Sequence, residues 1–143
     1  MKNKYPRVIL STLTALLVYH TAAFGQAGFV RTVYFKTNSF SIDEKYKKTL
    51  DLVIEQVNSD TFGYLKVFGY ADKKGSRKYN DILSKNRATA VYNYLHARVK
   101  IDTSRVYVTW LGESDSETYD LHFQHAKIQQ RCVDIWVTYY KKE

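Results

Sequence analysis

Arg87 is the side chain in this sequence whose position most needs a chemical explanation. The residues Tyr79, Leu83, Ala90, Val91, Tyr94 and Leu95 recur at three- and four-residue steps, the mark of a helix with one face turned to a core. Arg87 falls on that stripe, four after Leu83 and four before Val91, and Asn80 lies seven before it. An unpaired buried charge costs on the order of several kcal/mol, so the guanidinium needs a fixed anionic partner or a wet pocket. Asp72, where the preceding strand runs out, is the candidate to share that space. Two readings stay open at this point: a structural ion pair or a turn-capping aspartate before Lys73-Lys74-Gly75, or a binding site for a ligand.

Other reactive residue types are present without the pattern that chemistry needs. Asp120, His122 and His125 sit in a polar stretch, and no third metal ligand follows at a telling spacing. Cys132, the single cysteine, is flanked by Val133 and reads as a small buried side chain. There is no glycine-rich phosphate loop and no nucleophile elbow. Neither catalysis, a metal nor a cofactor is expected.

The elements that must position Arg87 and Asp72 can be read in order. Arg31 to Phe35 alternates as a half-buried strand, followed by the polar turn Lys36-Thr37-Asn38-Ser39. Ser41 and Glu44 read as a capping box opening a helix that carries Ile42, Tyr46, Leu50, Val53, Ile54 and Val57 inward and ends near Asn58. Tyr64 to Gly69 is a strand, Asp72 to Gly75 a turn, and the Arg87 helix runs to about Ala97. Arg105 to Trp110 and Arg131 to Tyr139 are two further strands, separated by a long loop, Gly112 to Gln130, with a short helical piece near its end. The order predicts an α/β (α+β) two-layer sandwich, one mixed four-stranded sheet with helices packed on it. The many tyrosines read as half-exposed sheet and helix packing, with stacking on sugar rings as the sharper alternative.

The 143 residues make a single domain. Residues 1–25 read as a secretory signal, with Lys2, Lys4 and Arg7 leading an apolar run from Val8 to Ala23 and small residues at Ala23 and Gly25. Residues 26–143 form the domain proper. A retained membrane anchor is disfavoured, since Ser11, Thr12, Thr14, His20 and Thr21 dilute a run already short for a bilayer. No cysteine follows the run to carry a lipid. Without the signal's three bases, 19 basic face 14 acidic residues, a net charge of +5. The bases are scattered, not striped, which argues against nucleic acid as a partner and leaves an anionic cell-envelope partner as the better match.

With those residues in view, the chain resembles the OmpA-like C-terminal peptidoglycan-binding domain family, of outer membrane protein A and peptidoglycan-associated lipoprotein type. The resemblance rests on Val33-Tyr34-Phe35 with Asn38, then Gly69-Tyr70-Ala71-Asp72, Gly75, Asn80, Leu83-Ser84, Arg87-Ala88, Val91 and Tyr94-Leu95. Ile101, Arg105, Gly112-Glu113 and Gln130-Arg131 before Val133 continue it. It implies a βαβαββ fold, export to the periplasm or the periplasmic face of the outer membrane, and non-catalytic binding of peptidoglycan. By the resemblance, Asp72 takes the ammonium and Arg87 the carboxylate of the diaminopimelate in the stem peptide. Asn80 hydrogen-bonds the ligand, Thr37 and Asn38 border the pocket, Leu83 walls it and Arg131 adds positive charge at the rim. Two positions depart from the family's pattern: Lys36 stands where many relatives have an acid, and Cys132 where they have a second arginine. The other function the fold admits is an interaction scaffold of an envelope complex, partnered by an outer-membrane or envelope protein, with its pocket idle.

Overall fold

The computed structural model describes residues 28–113 and 131–140. The signal segment, most of the Gly112 to Gln130 loop, and Asp120, His122 and His125 lie outside the described residues. Four strands form one mixed sheet: β1 (Gly28–Tyr34), β2 (Phe62–Gly69), β3 (Val106–Trp110) and β4 (Cys132–Tyr139), in the order β1-β4-β2-β3. β4 runs antiparallel to both β1 and β2, while β2 and β3 are parallel. Two helices, α1 (Lys47–Val57) and α2 (Arg77–His96), pack against it. This is the expected two-layer α+β architecture.

Strand alternation explains the core. Val33 lies opposite Val133, Val67 opposite Ile135 and Leu65 opposite Val137, and all six are fully buried. They meet Leu50, Val53 and Val57 of α1 and Ala88, Val91 and Leu95 of α2 in a single apolar cluster. One approach is especially close: a Cβ built on Gly69 would stand 2.2 Å from the Ser84 carbonyl oxygen and 2.9 Å from the Ala88 Cβ. Only glycine lets β2 run this near to α2.

That contact also corrects the expected helix face. α2 buries Asn80, Leu83, Ser84, Arg87, Ala88, Val91 and Leu95, while Tyr79 is 42% exposed. The small side chains at 84 and 88 turn inward because the glycine strand leaves no room for larger ones. The first helix departs too. Asp43, not Ser41, accepts the capping hydrogen bond, from the Lys45 amide, and a 3-10 turn (Glu44–Tyr46) precedes α1. The Ser41 amide instead donates to Ser39 Oγ. At the start of α2, Ser76 caps the Tyr79 amide. Arg105 lies in a 3-10 turn, not in β3, and its Nε donates to the Gly63 carbonyl at 2.7 Å.

Candidate functional site

The C-terminal ends of β1 and β2 meet the start of β4 at one end of the sheet. The Phe35 amide donates to the Arg131 carbonyl (2.8 Å), the Tyr70 amide to the Cys132 carbonyl (2.9 Å) and the Ala71 amide to the Gly112 carbonyl (2.7 Å). Such strand ends are where open α/β sheets present ligands. α2 supplies Arg87 and Asn80 from behind.

Arg87 is 0% exposed, and among the described residues its guanidinium is met by carbonyls and by no carboxylate. Nε donates to the Ser39 carbonyl at 2.9 Å, Nη1 to Tyr70 at 2.9 Å and Nη2 to Lys36 at 3.2 Å. Of the readings the sequence leaves open, a direct Asp72–Arg87 ion pair is not what forms: Asp72 pairs with Arg131. Three backbone acceptors turned inward at the β2 end and in the 36–39 turn satisfy the cation, each as a charge-assisted bond. Asp72 still acts at a distance: burial pushes the Arg87 pKa down, and the Asp72 charge is the largest influence opposing that shift.

Asp72 pairs with Arg131, whose Nη1 donates to Oδ2 at 2.9 Å. Their side chains are 18% and 30% exposed, so this pair forms the solvent-facing part of the cluster. Arg131 Nε is buried and meets no acceptor among the described residues. Asn80 is fully buried. Its Nδ2 donates to Glu113 Oε2 at 2.9 Å, while its Oδ1 has no partner among the described residues. Glu113 also faces Arg77 Nε at 3.6 Å. Thr37 and Asn38 form the exposed tip of the turn, Asn38 in the left-handed region at φ 55°. That turn's Lys36 and Ser39 carbonyls cover Arg87. Leu83 is buried on α2 one turn ahead of Arg87.

A family model matches residues 34–126 with the description OmpA family. The chain belongs to the OmpA family. Outer membrane protein A of Klebsiella aerogenes is 33% identical over 88 residues, 60% of this chain but 25% of that protein. Peptidoglycan-associated lipoprotein of Pasteurella multocida is 34% identical over 67 residues, 47% of this chain and 45% of that one. The chain thus spans less than half the length of either relative. Among solved structures, the peptidoglycan-associated lipoprotein from Burkholderia pseudomallei superposes with TM-score 0.58 at 23% identity, covering 76% of this chain and 89% of that one. A cell wall anchor from Pseudomonas aeruginosa superposes with TM-score 0.59 at 20% identity, covering 91% and 96%. These likenesses establish the OmpA-like fold.

Within this OmpA-family cluster, sequence reasoning missed Glu113 and the carbonyls of Lys36, Ser39 and Tyr70. Glu113 had a signal, since Gly112-Glu113 was one of the landmarks of the resemblance. The carbonyls had none, because backbone acceptors carry no residue identity. At the departing positions, the Lys36 Nζ extends 4.0 Å from Asp43 Oδ2 while its carbonyl serves Arg87. Cys132 is a buried thiol. No cluster among the described residues could hold a metal.

Proposed function

We propose that this domain binds peptidoglycan without cleaving it, holding the free amino-acid end of diaminopimelate in the stem peptide and so tethering an envelope component at the periplasmic face of the outer membrane. The observation that carries the reading is the half-open Asp72–Arg131 pair placed beside a buried, pre-oriented Arg87. The ligand carries an ammonium and a carboxylate on one carbon. Asp72 accepts the ammonium by exchanging it for Arg131. A partly exposed ion pair is worth only about 1 kcal/mol or less, so giving up the Asp72–Arg131 contact costs little. Arg87 spends three of the five N–H groups of a guanidinium on carbonyls and lends its fixed charge from behind the site, and the ligand carboxylate takes the more exposed Arg131 released from Asp72. Asn80 Oδ1, which has no partner among the described residues, is the acceptor offered to the ligand amine. Thr37 and Asn38 border the entrance and Leu83 closes its inner wall.

The names of the relatives support the reading: two are peptidoglycan-associated lipoproteins and one is a cell wall anchor. Two such contacts give a weak, reversible site, useful when a polymer presents many copies. A second reading, an envelope scaffold with an idle pocket, draws on the fact that Asp72 and Arg87 already have partners within the chain. Pull-down with purified sacculi separates the two. A binder sediments with the wall, Asp72→Asn stays in the supernatant, and no soluble fragments are released. Wild-type protein left in the supernatant favours the scaffold, and release of fragments would make the protein a hydrolase.

A further inference from the structure

Arg131 also lines an open groove of about 590 Å3, together with Tyr34, Tyr46, Lys36, Lys45, Asp43 and Glu44 among others. We infer that this groove takes the amino-sugar chain of the polymer whose peptide end the Asp72 centre holds. The inference rests on the reading above for its ligand and extends it to a second subsite. Four observations carry it. The volume falls within the roughly 300–1,000 Å3 typical of small-molecule sites. The wall carries both signs of charge, the bases Lys36, Lys45 and Arg131 against the acids Asp43 and Glu44, with Lys36 facing Asp43, which suits a ligand rich in hydroxyl and amide groups. Two tyrosine rings meet there, their centroids 6.3 Å apart and tilted by 49°, and offer apolar surface with a hydroxyl at the edge. Finally, Arg131 lines the groove and also donates to Asp72, so one side chain joins the two subsites. Lys36, the residue that departs from the family's acid, tips this wall to one net positive charge.

Three ligands titrated into the intact domain test this: a free diaminopimelate tripeptide, the same tripeptide carrying its disaccharide, and peptide-free glycan strands. The disaccharide-tripeptide is expected to bind roughly tenfold tighter than the tripeptide, and the glycan alone to bind weakly. Tyr46→Ala brings the disaccharide-tripeptide down to tripeptide affinity and leaves the tripeptide unaffected. Ser41→Trp, an exposed groove residue away from the core, does the same by filling the groove, should Tyr46→Ala fail to fold. Equal affinity for the two peptides with no binding of glycan overturns the inference, as does glycan binding that survives both variants. Glycan binding lost in the variants, with no affinity for the tripeptide, upholds the groove and refutes the diaminopimelate reading instead.

Discussion

Replacing Arg87 by alanine is expected to damage the fold before it reports on binding. The side chain is wholly buried and donates to three carbonyls, of Ser39, Tyr70 and Lys36. Truncation leaves those acceptors facing a cavity. A buried acceptor without a partner costs about 1–3 kcal/mol, and water entering from the adjoining turn recovers part of that, so a net loss of roughly 3–5 kcal/mol is expected. Native domains hold only about 5–15 kcal/mol in total. Urea denaturation followed by far-UV circular dichroism measures the loss directly. Arg87→Lys, which keeps the charge but places its donors on one nitrogen, should lose less than alanine does. A loss below about 1 kcal/mol for Arg87→Ala would refute the reasoning, because the carbonyls would then be satisfied without the guanidinium.

Other perturbations follow from the same geometry. Gly69→Ala places a methyl 2.2 Å from the Ser84 carbonyl oxygen and should cost at least about 2 kcal/mol by overpacking, seen as a lower urea midpoint. Ser84→Gly on that background brings no rescue, since the clash is with backbone. Asp43→Ala should lose about 1 kcal/mol of helix capping, whereas Ser41→Ala should stay within about 0.5 kcal/mol; equal losses in thermal melts would restore the capping box. Asp134 is 4% exposed, and burial raises its pKa above the ordinary 3.8 although the Thr32 hydroxyl opposes this by donating to Oδ1 at 2.5 Å. A raised folded-state value means that the folded chain holds this proton more tightly. The carboxyl therefore destabilises the fold progressively as pH climbs from about 4 through its raised value, and the penalty is complete above it. Asp134→Asn should flatten that part of the stability profile, and an unchanged profile would show that Asp134 does not titrate there.

The fold was legible because hydrophobic alternation and helical periodicity survive almost unbroken. Val133, Ile135 and Val137 face one way in sequence and in space, and so do Leu50, Val53 and Val57. Errors arose where a local rule met a long-range constraint. Tyr79 looked inward by spacing, yet Ser84 and Ala88 took the buried places because Gly69 comes so near. Ser41 with Glu44 matched a capping pattern, but the Asp43 carboxylate was the acceptor in position. In the candidate site, Arg87 stood out as a charge on an apolar face. Its acceptors did not, for two of them sit in a turn around 50 residues earlier in the chain, brought over it by the sheet. Asp72 and Arg131 were both singled out as separate contributors. Their pairing across 59 residues is a product of Tyr70 and Cys132 joining β2 to β4.

The central claim is that one carboxylate at the end of β2 and the arginine paired with it clasp a zwitterion. Titration of the wild-type domain and of Asp72→Asn with free diaminopimelate, followed by amide shifts in nuclear magnetic resonance, tests it most directly. The account predicts saturable shifts centred on residues 70–72, 80, 87 and 131 in the wild type, and their loss in Asp72→Asn with the fold intact. Saturable binding that is equal in the two proteins, or no shifts in the wild type, would contradict it.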